Sequence, residues 1–555
     1  MKTMTMKKLA LATLTVALGL AVGAGCAMRA PTHDRRGPSS TESMDYDGDT
    51  TASPPAPEPA QEFSRLRVVN GKPFADMYFK HYGVNPTIDT EEESVSTFSV
   101  DVDTASYTLA RSFLYKGHLP EEEAIRVEEF INAFKYDYTD PGTAPFGVQV
   151  EAFPSPNRKG YHVLHVGLKG REVSRAERLP THLVFTIDVS GSMAMENRLG
   201  MVKRALALLV EQLDERDTIA IVVYGDGART VLEPTRATDR GRILEAIEGL
   251  QSEGSTNVQA GLSMAYAIAA RQAREGTVSR VILCSDGVAN NGITGGDAIF
   301  ASVKDYAQRG VQLTTVGFGM GNYNDVLMER LAHQGDGQYA YVDQLAEAKR
   351  LFSEQLTGTL QLIARDVKVQ LEFDKAVVSR YRLIGFENRL LAKEDFSNDK
   401  VDAGDIGAGH TVTALYEVKF REAPARSASS FATMRIRYKD PSTTLEAGHS
   451  GLVEKALPTA IVRQSMEAAS GPSQLSVVVA LFAEKLRGSY WTRTVTYEQL
   501  LRLLSELPEH IRDRYEVLEL RELIKVAKMS DTRGDKFEKT APVAKMDFDH
   551  VPVVR

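Results

Sequence analysis

From residue 182 to residue 334 the chain alternates two apolar patterns. Short, nearly continuous apolar runs fall at 182–190 (HLVFTIDVS), 218–225 (TIAIVVYG), 279–287 (SRVILCSDG) and 311–319 (VQLTTVGFG). Runs of this kind read as parallel strands covered on both faces. Between and after them, apolar residues recur at helical spacing over about 197–214, 238–251, 256–274, 296–309 and 323–334. The alternation predicts an α/β domain over 180–358, a doubly wound, mostly parallel and Rossmann-like sheet. Such a sheet binds ligands in the crevice beyond the carboxyl ends of its strands.

The flanks read differently. STFSVDVDTASYTLARSF (96–113) begins as an alternating strand with Phe98, Val100 and Val102 on one face. Leu119-Pro120-Glu121 opens a helix expected to run to about Phe134, with Val127, Phe130, Ile131 and Phe134 as its core face. Two strands follow, PFGVQVEAF and YHVLHVGLKG, completing an N-terminal α+β flank over 63–175. His162 and His165 stand three apart on the second strand, hence on opposite faces, which argues against a metal pair. After residue 362 the runs 365–374, 410–420 and 432–440 alternate as antiparallel strands. Helical stretches at 475–488, 497–507 and 515–530 then complete a C-terminal domain, β-rich then helical, over 362–545.

The first 25 residues form a separate pattern. Lys2, Lys7 and Lys8 precede an apolar run from Leu9 to Val22, and Gly23, Ala24, Gly25 and Cys26 follow. This is the layout of a secretory signal peptide, and its apolar run is shorter than the roughly 20 residues that span a bilayer. A cysteine directly after small residues resembles a bacterial lipobox, although Gly23 stands where that motif usually has leucine. The resemblance implies cleavage before Cys26, acylation of its thiol and attachment to a membrane through lipid. Ala27 after the cysteine would then direct the chain to the outer membrane in a Gram-negative cell. The alternative is ordinary signal cleavage with an incidental cysteine. Residues 26–62, rich in Pro, Ser, Thr and Asp, read as a tether.

Composition narrows the function. The 555 residues are 43% hydrophobic and 25% charged, as in soluble globular proteins. Net charge is −8, becoming −11 once the three leader lysines are removed, so nothing points to nucleic acid. Cys26 and Cys284 are the only cysteines, so no disulfide framework is available. Cys284 lies within the apolar run VILC and reads as a small core residue.

The chemistry-bearing residues gather at one predicted edge. The first strand of the α/β domain ends in Asp188-Val189-Ser190-Gly191-Ser192. Gly254-Ser255-Thr256-Asn257 lies just before the third helix, and Ser285-Asp286-Gly287 ends the next strong strand. Two carboxylates and three hydroxyls, with no sulfur or imidazole, suit a hard divalent cation: Mg²⁺ first, with Mn²⁺ or Ca²⁺ as alternatives. Two carboxylates leave such an ion short of negative charge, so it attracts an acidic group from outside.

Asp188-x-Ser190-x-Ser192 with Thr256 and Asp286 resembles the metal-ion-dependent adhesion site of the von Willebrand factor A domain. The resemblance implies that Ser190, Ser192 and Thr256 touch the metal, that Asp188 and Asp286 act largely through water, and that an Asp or Glu of a protein ligand completes the shell. The segments STFSVDVDTASY and 381–418 further resemble the flanks of a bacterial group of such proteins. The expected function is non-enzymatic: a lipid-anchored envelope protein that binds a protein ligand through the metal. The alternative is an assembly or adaptor protein of an envelope complex, linked to an AAA ATPase system.

Other motifs carry less. Asp101-Val102-Asp103-Thr104 has the spacing of a phosphatase nucleophile, but its surroundings lack the fold pattern, and Asp and Thr capping a turn is the expectation. Gly317-Phe318-Gly319-Met320-Gly321 lacks dinucleotide-loop spacing and reads as a plain strand-end turn. Trp491, beside Tyr490, could bind a partner or pack in a core.

Overall fold

The computed structural model describes residues 67–68 and 77–537, apart from 175, 288–294, 308, 321–322, 356–360, 400, 402, 424–428 and 442–449. Residues 1–62, which include the expected signal peptide, Cys26 and the whole of the expected tether, lie outside the described residues.

The predicted strands of the α/β domain form one sheet. Its spatial order is Tyr339–Val342, Val311–Phe318, Val278–Ser285, Thr181–Asp188, Thr218–Tyr224 and Ala228–Arg236. All neighbours pair in parallel except the last, which is antiparallel, and the two edge strands, Tyr339–Val342 and Ala228–Arg236, add to the four that the sequence predicts. The apolar runs are continuous because each strand supplies both faces. Val184, Val222, Val281 and Leu283 pack under the helices Val258–Gln272 and Asp325–Gln334. Leu183, Phe185, Val223 and Cys284 pack under Arg198–Gln212 and Arg240–Glu248. Cys284 is therefore a core residue, and burial pushes its thiol pKa up, away from the reactive thiolate. The helix predicted over 296–309 is two short turns, Gly296–Ala301 and Lys304–Ala307.

The flanks differ most from a linear reading. The regions 63–175 and 362–545 share sheets rather than folding apart. Val95–Ser99 pairs antiparallel with Leu362–Phe373, with Phe98 opposite Val369. His162–Gly170 pairs with Thr411–Phe420, with Val166 opposite Ala414. Two antiparallel sheets result, and Phe98, Val166, Val369, Leu371, Tyr416 and Met434 belong to their common core. The helices interleave likewise. Tyr107, Phe130 and Phe134 from the N-terminal side share a core with Phe482, Leu500 and Leu520 from the C-terminal side. Among the described residues, no helix is long and apolar enough to cross a membrane.

Local departures from the expected elements have physical causes. The strand near residue 96 stops at Ser99, and a helix spans Ala105–Tyr115. The helix expected up to Phe134 is a short 3₁₀ turn, Glu122–Ala124, followed by Val127–Asn132. The break leaves Arg126 extended (φ −108°, ψ 111°), and its guanidinium takes Asp325 of the α/β domain bidentately at 2.7 and 3.2 Å. Asp103 does not cap the turn as expected. It accepts from the Tyr339 backbone N–H at 2.7 Å and from Arg389 at 3.2 Å, while Arg389 also reaches Glu329. Arg111 binds Asp343, Glu347 and Glu519, tying three parts of the chain together. Trp491 is a core residue: it is 5% exposed and donates to the Asn85 carbonyl at 3.1 Å.

His162 and His165 do face opposite ways. The His162 ring packs edge-on against Phe420 at 5.0 Å. His165 is buried, hydrogen-bonded to Tyr138 Oη at 2.8 Å and to Ser476 Oγ at 3.0 Å.

Two outcomes follow for stability. Arg126→Met keeps volume but strips the counter-charge from buried Asp325 and Glu129, so unfolding free energy should fall by about 3–5 kcal/mol in urea titration. A loss under about 1 kcal/mol would show that the pair does not fasten the two parts. For His165, burial lowers the pKa from 6.5 to about 4, opposed by the charge of Glu151. Between those values the unfolded chain binds a proton that the folded chain refuses, so stability falls as pH drops through that window. The slope approaches about 1.4 kcal/mol per pH unit for this group. His165→Gln should flatten the dependence of the urea midpoint on pH between 6.5 and 4, and an unchanged slope would contradict the assignment.

Candidate functional site

Parallel register places the site. Asp188 ends its strand opposite Tyr224, and the neighbouring strand carries Cys284 opposite Ile187, so Asp286 emerges at the same edge. Asp188 and Asp286 are both 0% exposed. Asp188 is held at both oxygens: Oδ1 accepts from the Ser190 backbone N–H at 2.9 Å, and Oδ2 accepts from Ser285 Oγ at 2.9 Å. Ser285 in turn accepts from the Gly287 N–H at 3.0 Å. Ser190 Oγ and Ser192 Oγ lie 3.1 Å apart. Ser190 is 2% exposed, whereas Gly191 is exposed and Ser192 half-buried, so the loop opens to solvent on one side.

The third segment is fastened by backbone. The Gly191 N–H donates to the Gly254 carbonyl at 3.2 Å, and the Glu253 N–H donates to the Val189 carbonyl. Gly254 sits at φ +76° against Asp226, where a Cβ would meet the Asp226 backbone nitrogen at 3.0 Å. Glycine is needed there for both the turn and the approach. Thr256, 2% exposed, follows this turn, and the helix Val258–Gln272 begins behind it with Asn257 as its cap. The structure thus brings the 188–192, 253–257 and 285–287 segments to one edge, as the sequence reading expects.

The electrostatics are those of crowded acids. Burial, then the charge of Asp286, pushes the Asp188 pKa up to about 7. A cation beside these oxygens would relieve that repulsion, and an all-oxygen donor set is what hard divalent cations take. Buried groups of other types border the cluster: the Tyr224 phenol, whose pKa is pushed up by burial and then by the Asp188 charge, and the Arg198 guanidinium.

Two residues here were missed from sequence. Ser285 was read only as part of the strand end, yet it orients Asp188. Arg198 was not singled out. It is 4% exposed and donates through Nη1 to Asp286 Oδ2 at 2.9 Å and through Nη2 to the Met320 carbonyl. The signal was a charged residue on the inward face of a helix start. Gly319 is accordingly more than a plain turn. At φ +80°, a Cβ on it would lie 2.0 Å from Arg198 Nε, so glycine leaves room for the guanidinium.

With this geometry in view, the comparisons with known proteins are specific. Residues 183–288 match the model of the von Willebrand factor type A domain, residues 73–165 match a von Willebrand factor model, and residues 358–529 match "Uncharacterized protein YfbK, C-terminal". The chain is 37% identical over 447 residues to "Uncharacterized protein YfbK" of Escherichia coli, covering 76% of each. It is 24% identical over 327 residues to "Uncharacterized protein sll0103" of Synechocystis, covering 58% of this chain and 75% of that one. A solved von Willebrand factor type A structure from Catenulispora acidiphila aligns at a TM-score of 0.39 and 16% identity, over 72% of this chain and 99% of that one. At 37% identity over 76% of both chains, the chain belongs to the YfbK family, and its residues 183–288 match the von Willebrand factor type A domain.

Proposed function

We propose that this protein is a non-enzymatic binding protein of the bacterial envelope that captures a protein ligand through a divalent cation. Ser190, Ser192 and Thr256 would hold the cation, with Asp188 and Asp286 beside it, and Mg²⁺ is the expected ion. The observation that carries the reading is the pair of buried carboxylates set among hydroxyls at the open carboxyl edge of the sheet. The cation supplies positive charge at that edge, and a ligand Asp or Glu supplies the missing anion. The protein groups do the rest: Ser285 and the Ser190 N–H fix Asp188, and the Gly191–Gly254 backbone bond holds the Thr256 loop. Anchorage through acylated Cys26, with 26–62 as tether, would keep the domain at a membrane surface. A role as an adaptor in an envelope complex uses the same site with a different ligand.

The test separates cation binding from folding. Mg²⁺ at 100 times its Kd should stabilise the wild-type chain by about 2.7 kcal/mol. Asp188→Asn keeps shape and removes a costly buried charge, so the variant should be as stable as wild type without metal yet gain nothing from Mg²⁺. It should also lose EDTA-sensitive capture of envelope proteins. Full-strength, EDTA-insensitive capture by Asp188→Asn would overturn the mechanism. Cys26→Ser should move the protein from the membrane fraction to the soluble fraction, and unchanged partitioning would overturn the anchor.

A further inference from the structure

Arg198 occupies an unfavourable position for a cation: it continues the helical turn Gly191–Asn197 into the helix Arg198–Gln212, and it is buried. A guanidinium is kept in such a place only by a close counter-charge and by hydrogen bonds to its remaining donors. Here the counter-charge is Asp286, 2.9 Å away, with both side chains almost wholly enclosed. The Met320 carbonyl takes a second donor, and Gly319 clears the space. The same segment that supplies Ser190 and Ser192 therefore folds a fixed positive charge back onto one of the two site carboxylates.

We propose that Arg198 sets the charge of the cation site. One Asp286 oxygen is committed to the guanidinium, so this residue brings a divalent ion less than a full negative charge. Arg198 thereby weakens the site's own hold on the ion. It also leaves the bound ion less neutralised, and so more dependent on an outside carboxylate. This inference rests on the cation reading above and concerns how strongly the site fills.

The experiment titrates Mn²⁺ into the full chain and follows free Mn²⁺ by electron paramagnetic resonance, with thermal melts to confirm folding. Arg198→Gln keeps an amide donor for the Met320 carbonyl but removes the charge. It should bind Mn²⁺ about tenfold or more tightly than wild type. Arg198→Lys keeps the charge, and its affinity should stay within about threefold of wild type, although lysine cannot fork between two partners. A merely structural arginine predicts the reverse order, with both variants weaker. If wild type binds Mn²⁺ and a folded Arg198→Gln binds it no more tightly, the inference fails and the cation reading stands. If Arg198→Gln does not fold, Arg198→Lys decides, and a tenfold change in either direction overturns the proposal. Tight binding by Arg198→Gln alone would support it most directly. Binding by neither protein overturns the cation reading and this inference with it.

Discussion

The structure depends on a seam of buried guanidinium–carboxylate pairs along one lateral edge of the α/β sheet. Arg126 grips Asp325, Arg389 grips Asp103 and Glu329, and Arg111 grips Asp343, Glu347 and Glu519. These contacts follow the edge strand Tyr339–Val342. Asp103 takes its first backbone N–H, Tyr339 Oη reaches Asp325, and Asp343 continues from its end. A bare strand edge invites pairing with other chains, and here it is covered. Buried ion pairs add little net stability compared with an apolar seam, because both charges must be desolvated. What they add here is orientation: each forked arginine accepts one arrangement of its carboxylates.

None of these ion pairs involves the carboxyl ends of the central strands. Thr181–Asp188 and Val278–Ser285 are neighbours in the middle of the sheet, two strands or more from the open antiparallel edge. Their ends carry the acids, and the loops after them carry the hydroxyls. Parallel register sets these strand ends at the same level.

The α/β domain was legible because its information is local. A run such as TIAIVVYG has one stable use, as a strand covered on both faces, and it is found at Thr218–Tyr224. The Asp188-x-Ser190-x-Ser192 loop was legible for the same reason. The flanks were not, because pairing Val95–Ser99 with Leu362–Phe373 is a choice among many alternating strands far away in sequence. Nothing in either strand names its partner. Arg126 illustrates the same limit: periodicity predicts one helix through it, yet the bond to Asp325 favours the extended break. Arg198 was invisible for a further reason. A single arginine among surface-like helix residues shows its meaning only when Asp286 and Gly319 are placed around it.

Seam and site also meet in space at Gly287. Asp325 of the seam follows Tyr323-Asn324, which pairs in parallel with Met77 and Tyr78. A Cβ on Gly287 would meet the Asn324 nitrogen at 2.9 Å and the Tyr323 ring at 3.1 Å, so this short strand lies directly against the residue after Asp286. Gly287 holds φ +84°, where other residues are strained, and it also anchors Ser285, the donor to Asp188. Three requirements therefore meet at one glycine: the strand at Tyr323-Asn324 must pack, Ser285 must be oriented, and Asp286 must point back toward Arg198. Close packing makes such a junction stiff rather than compliant. The buried ion pairs that fix the sandwich against the sheet thus also support, through two residues of backbone, the geometry of the carboxylates at its edge.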